Sequence, residues 1–203
     1  MVDDYAGYKA LFGETILEQG CLAHARRKFY ELHQAAGSPI AEEALARIGE
    51  LYAIEAEGKT LDIEQRRALR QEHAMPKLEA WFDWLRNTRG SVPNGSGTAK
   101  ALDYSLRCKE ALMCYARTGH LPIDNNPVEN IIRPVAIGKK NWLFVGLERA
   151  GERAAALQSL IGTARLNGID PAIWLRDTLE KLPTWPYRRI DELLPLKGWA
   201  PGA

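Results

Sequence analysis

Between Ser38 and Thr118 no segment alternates apolar and polar side chains, and that absence limits what the middle of the chain can fold into. Apolar residues recur there at helical spacing instead. Ile40, Ala44, Ile48 and Leu51 mark one stripe, and Leu78, Trp81, Phe82 and Leu85 mark a second. A third runs through Ala101, Leu102, Ser105, Cys108, Leu112 and Tyr115, with Thr98 as its expected cap and Gly119 as its end. Pro76 should interrupt the helical run over 60–88, and the Gly/Ser/Pro/Asn segment from Gly90 to Gly97 reads as a loop. Residues 38–118 are therefore expected to form an all-helical block, in which the tryptophans at 81 and 84 pack inward.

The flanks differ. Leu22, Ala25, Phe29, Leu32 and Ala36 share one helical face, opposite Arg26, Tyr30 and His33, and Gly37-Ser38-Pro39 ends that helix. Strand character is confined to Val2-Asp3, to Ile16 through Leu22, and to Asn141 through Val145. A helix over 149–166 stops at Asn167-Gly168. Asp170 then caps, and Pro171 opens, a last helix ending near Lys181. Four prolines (183, 186, 195 and 201) mark the tail as an extended arm laid over the body or partly mobile.

Charge is balanced overall, with 27 Lys and Arg against 26 Asp and Glu, so net charge selects no partner. Its distribution is uneven. Residues 40–64 hold seven acids against Arg47 and Lys59, whereas residues 131–168 hold six cations against Glu148 and Glu152. Cys21, Cys108 and Cys114 are odd in number and widely spread, which implies no disulfide framework and fits a reduced, cytoplasmic setting. The first residues lack the basic start and apolar stretch of a secretory signal, and no apolar run approaches a membrane span.

The segment Asp124-Asn125-Asn126-Pro127-Val128-Glu129 carries the chemistry. With Asn126 as N-cap, Pro127 takes the first helical position and Glu129 the third. There Glu129 could reach back to the Asn126 N–H as a capping box. Alternatively, an acid in a helix first turn, followed by Arg133, Lys139 and Lys140, suits a metal-and-phosphate site. Pro134 makes this helix short or kinked. Cys21-x-x-His24 has the spacing of half a zinc site, but the sequence supplies no second pair at usable distance. Arg26, Arg27 and Lys28 fit phosphate contacts or a solvated helix face equally. Lys139 and Lys140 before Trp142 fit a backbone clamp beside a base-stacking ring, or a strand whose aromatics are simply buried.

The string from Asn125-Asn126-x-x-Glu129 through Ile132-Arg133-Pro134 and Lys139-Lys140-Asn141-Trp142-Leu143-Phe144 resembles the catalytic-glutamate segment of IS66-family insertion-sequence transposases. The likeness continues at Leu166-Asn167-Gly168-Ile169-Asp170-Pro171 and at Arg189-Ile190-Asp191-Glu192-Leu193-Leu194-Pro195. Nearer the N-terminus it rests on Asp3-x-Tyr5-x-x-Tyr8 and Cys21-x-Ala23-His24-Ala25-Arg26-Arg27-Lys28-Phe29. The resemblance implies DNA transposition by a DDE-type enzyme, with Asp3 and Glu129 as catalytic metal ligands. It implies Mg²⁺ or Mn²⁺, two ions in the complete parent enzyme, because in-line displacement at phosphorus is assisted by paired divalent ions about 3.5–4 Å apart. His24 and Asn126 would support the ligands, and Arg133, Lys139, Lys140, Trp142, Arg26 and Arg27 would contact DNA at element ends and target.

The expected fold is α+β and predominantly helical: an incomplete RNase H-like catalytic core with a helical insertion. Residues 1–37 would hold the strand of the second Asp and its following helix. The insertion would occupy 38–118, the return to the core with the Glu helix 119–182, and the Pro-rich tail 183–203. Only Met1 and Val2 precede Asp3, which leaves no place for a first catalytic aspartate and leads us to expect a C-terminal fragment, inactive alone. The alternatives are a non-catalytic module that binds DNA, full-length transposase or accessory element proteins in the bacterial cytoplasm, or a remnant without function.

Overall fold

A computed structural model describes residues 12, 16, 18–138 and 146–202. The described residues are predominantly helical and fall into two units, Met1–Glu129 and Asn130–Ala203. The strand expectations at Val2-Asp3 and Asn141–Val145 lie outside the described residues. The one over Ile16–Leu22 needs correction. In its described part there is a bend at Ile16, a single bridging residue at Gly20, whose N–H donates to the Ala111 carbonyl at 2.9 Å, and a helix beginning at Leu22. The sheet of an RNase H-like core has no counterpart among the described residues.

In the first unit, α1 (Leu22–Ala36), α2 (Pro39–Glu57), α4 (Met75–Arg89) and α5 (Gly97–Arg107) pack around one core, with the short α3 (Ile63–Leu69) leading into α4. The stripes read from sequence are what meets there. Leu22, Ala25 and Phe29, then Ile48 and Leu51, then Leu78, Trp81, Phe82 and Leu85 are buried together. Trp84 packs against that cluster, half-buried. Burial of such side chains, each contributing about 1.5–3 kcal/mol, supplies the driving force for the block. Ser38 caps α2 through its hydroxyl, and Asp62 with Gln65 forms a reciprocal capping box on α3.

Two expectations shift in detail. Ser96, rather than Thr98, caps α5, since its hydroxyl accepts the Ala99 N–H at 3.1 Å. The helix expected to run to Gly119 breaks at Cys108 and resumes as α6 (Lys109–Met113), followed by a 3₁₀ turn over Cys114–Arg117. Pro76 does not break its helix. A wide π turn over Arg70–Ala74, in which the Met75 N–H reaches the Arg70 carbonyl, opens the ladder where Pro76 has no N–H to give.

That π turn presents Arg70, whose side chain is 2% exposed. Its guanidinium grips Glu55 with two bonds of 2.8 and 2.6 Å. It also donates to the carbonyls of Tyr115, Thr118 and Leu121 at 3.1, 2.7 and 2.8 Å, and lies 5.2 Å from the centre of the Tyr115 ring. Arg66 adds a bond to the Gly119 carbonyl at 3.2 Å, and the Gln71 amide bonds the Ala116 carbonyl at 2.6 Å. The irregular segment 115–121 is thereby held by side chains rather than by a helix ladder. Gly119 passes so close to α3 that a Cβ there would lie 1.7 Å from the Ile63 carbonyl oxygen.

The second unit contains α7 (Asn126–Gly138) from Asn130 onward, α8 (Glu148–Leu166), α9 (Pro171–Lys181) and a 3₁₀ segment over Tyr187–Leu193. The end of α8 follows the sequence reading. Gly168 adopts φ +72°, and the Ile169 N–H reaches back to the Ala164 carbonyl at 2.9 Å, a Schellman closure. Asp170 caps α9 by accepting the Ala172 and Ile173 N–H groups. The tail coils back on its own unit rather than staying extended. The indole of buried Trp174 donates to the Leu193 carbonyl at 2.8 Å, and Asn167 donates to Pro195. No helix among the described residues is long and apolar enough to cross a membrane.

Arg70→Ala strips the partner from Glu55 and frees three inward carbonyls, so chemical denaturation should show a loss of about 3–5 kcal/mol. Removing the exposed Arg27–Glu31 pair should cost no more than about 1 kcal/mol.

Candidate metal and DNA site

The segment Pro122–Asn126 crosses the start of α1 and is fastened to it at several points. The Gln19 amide donates to the Pro122 carbonyl at 2.5 Å, and the Leu22 N–H donates to Ile123 at 3.2 Å. Asn125 donates its N–H to the Cys21 sulfur at 3.3 Å. Asp124, 7% exposed, is the hub. Its Oδ1 accepts the Asn126 N–H at 3.1 Å, and its Oδ2 accepts both the Asn126 side-chain amide and the Tyr52 hydroxyl at 2.9 Å.

This arrangement corrects the capping-box expectation for Glu129. The first turn of α7 closes with the Glu129 N–H on the Asn125 carbonyl at 3.0 Å, which puts Glu129 one position deeper than Asn126 as cap would allow. The Asn126 N–H, the group Glu129 would have reached for, is taken by Asp124. Glu129 turns instead toward His24, with its Oε1 3.7 Å from the imidazole Nε2. Both side chains are partly open to solvent, 29% for His24 and 44% for Glu129. Together with buried Cys21 they form a group whose ligand atoms all lie within 4.8 Å of one another.

Of the residues proposed from sequence, His24 and Glu129 thus meet at the heads of two helices, while Asn126 opens the second of them and bonds to Asp124. Arg26 and Arg27 lie exposed on the next turn of α1. Arg27 pairs with Glu31 at 2.9 Å, and Arg26 sits 5.8 Å from the Tyr30 ring centre. An open groove of about 470 Å³ runs there, lined by Ala23, Arg26, Arg27, Tyr30, Gly49, Tyr52 and Asn126. Arg133 is exposed on α7. Asp3, Lys139, Lys140 and Trp142 lie outside the described residues.

Sequence reasoning missed Asp124 as a hub and Tyr52 altogether. Asp-Asn-Asn-Pro carried a signal, because Asp readily folds its carboxylate onto the N–H two residues on. Nothing local marks Tyr52, since its partner comes from a distant segment.

Residues 1–153 match the family described as Transposase IS66 family, and residues 159–196 match the IS66 C-terminal element. The chain belongs to the IS66 transposase family. Among curated relatives, the uncharacterized protein y4hP of Sinorhizobium fredii is 38% identical over 187 residues, covering 86% of this chain and 34% of that protein. A second from the same organism, y4qI, is 37% identical over 203 residues, covering 96% of this chain and 38% of its own. The uncharacterized YjgZ of Escherichia coli matches 31 residues at 52% identity, 15% of this chain and 28% of its own. The chain therefore spans well under half the length of these relatives. No solved structure matches it.

Burial shapes the protonation of this region. It pushes the Cys21 thiol up, against the opposing pull of the Asn125, His24 and Ala23 N–H groups. Burial first, and the Asp124 charge second, push the Tyr52 phenol far above its ordinary range; burial does the same to Tyr115, with Glu55 adding to it. The folded state therefore holds protons that the unfolded chain releases, near pH 8.5 for cysteine and near pH 10 for tyrosine. Stability should be full below about pH 8.5 and fall as pH rises beyond it. Urea midpoints taken from about pH 7.5 to about pH 10.5 should show that decline, and Tyr52→Phe should flatten its upper part.

Proposed function

We propose that this chain provides the DNA-processing segment of an IS66 transposase, in which Glu129 is the third metal-binding carboxylate of a DDE-type centre and Asp3 the second. Family membership supports the reaction class, and one observation carries the assignment of Glu129. Its carboxylate is relieved of helix capping by Asp124 and stands partly open beside His24. A bound pair of Mg²⁺ or Mn²⁺ ions would supply charge neutralisation and an activated oxygen for displacement at phosphorus. An open carboxylate suits magnesium, which takes oxygen ligands and keeps several waters.

The chain's own residues account for substrate handling. Arg26 and Arg27 line the groove beside Asn126 and offer cations to a phosphate backbone, and Tyr30 offers an aromatic face to an unstacked base. Asp124, Tyr52 and Asn126 orient the first turn of α7, and so the direction in which Glu129 points. Arg133, Lys139, Lys140 and Trp142 are further candidates for DNA contacts, and Asp3 would supply the second carboxylate.

The test exchanges this chain for the matching segment of the y4hP relative and measures strand transfer of an element-end oligonucleotide by the hybrid with Mg²⁺. Glu129→Gln should lower the product at least about a hundredfold, through lost charge stabilisation, while leaving salt-dependent DNA binding intact. Unchanged transfer by that variant would remove Glu129 from the chemistry. DNA binding without transfer in any form of the protein would favour the non-catalytic module instead.

A further inference from the structure

Beside the Glu129 carboxylate stand two further donors that a hard cation has little use for. Cys21 offers sulfur and His24 imidazole nitrogen, and neither suits a hard cation that favours oxygen. A tetrahedral ion bound to sulfur, nitrogen and oxygen at about 2.0–2.3 Å holds its ligand atoms roughly 3.3–3.7 Å apart. The His24 Nε2 to Glu129 Oε1 separation of 3.7 Å is already near that span, and one ligand atom from each of the three residues lies within 4.8 Å of the others.

The frame is fixed on the side that matters. Cys21 is fully buried at the cap of α1, where its sulfur is held in place by accepting the Asn125 N–H. His24 stands one turn further along the same helix. Its Nδ1 is buried without a hydrogen-bond partner among the described residues, so no neighbour fixes the tautomer against metal binding. Glu129 is partly exposed, so its carboxylate has room to adjust toward an ion held by the other two. Cys-x-x-His supplies half a zinc site, and the fold delivers a third ligand from the head of α7.

We infer that Cys21, His24 and Glu129 form a binding site for a thiophilic divalent transition metal of the Zn²⁺ class, with three protein ligands and an open fourth position. The site stands on these three side chains and needs no DNA chemistry. It can be tested separately from the transposition reading.

Cobalt is the probe, because it occupies zinc sites and reports its ligands by absorption. The reduced, metal-stripped full chain is titrated with Co²⁺, then with Zn²⁺ in competition. We expect one equivalent bound, with the visible bands of a four-coordinate ion and a near-ultraviolet sulfur-to-cobalt charge-transfer band, both displaced by Zn²⁺. Cys21→Ser should abolish the charge-transfer band, whereas Cys108→Ser and Cys114→Ser should keep it. His24→Ala and Glu129→Gln touch partly exposed positions, so folding, checked by circular dichroism, should survive. Each should weaken Zn²⁺ binding by at least about tenfold. Absence of the charge-transfer band in the parent chain, its persistence in folded Cys21→Ser, or unchanged Zn²⁺ affinity in both His24→Ala and Glu129→Gln would each overturn the site.

Discussion

One buried guanidinium makes most of the side-chain bonds that hold the irregular part of the first unit in place. Arg70 sits on a π turn, binds Glu55 of α2 with both arms of its fork, and takes three carbonyls of the segment that follows α6. Burying a charge in this way is costly unless every donor finds an acceptor, and here carboxylate and backbone share that task. The segment so held runs directly into Ile123 and Asp124. The helical core therefore reaches the candidate site through the bonds of Arg70, Arg66 and Gln71 and a short length of backbone, with no sheet among the described residues to do the job.

At the other end of that segment a second polar hub takes over. Asp124 collects a phenol from α2, a backbone N–H and a side-chain amide, and in doing so occupies the donor that Glu129 would otherwise bind. The division of labour has a chemical result. One acid is spent on structure inside the protein, and the second is left with free oxygens at the surface. Cys21 plays a comparable double part, buried in the core at the cap of α1 while its sulfur faces Asn125. The same few residues thus build the helix starts and supply the donor atoms.

Much of this could be read from the order of residues, and the gaps have physical reasons. Helical periodicity located α1, α2, α4 and α5 because each buries one face. In α8 the apolar spacing marks the helix but not the buried side, since Ala154 and Leu157 are exposed and only Gly162 and Ala164 are buried. The Gly168, Asp170 and Pro171 signals marked the end of α8 and the start of α9 by local chemistry. Pro76 misled because a π turn relieved it, and the break at Cys108 had no proline or glycine to announce it. Glu129 stood out by motif, yet its local role was misread, since Asp124 competes for the same N–H with a shorter loop. The meeting of Cys21 with Glu129, and of Tyr52 with Asp124, depends on packing between distant segments. No window of sequence contains it.

Gly119 carries one more implication. Because its backbone lies against the Ile63 carbonyl with no room for even a methyl group, the turn that leads to the site is moulded to α3 as a cast is to its form. Residues 118–129 cannot be lifted onto another helical scaffold as a cassette. Whoever attempts such a graft must carry over the facing carbonyl, the wide turn and its arginine as well.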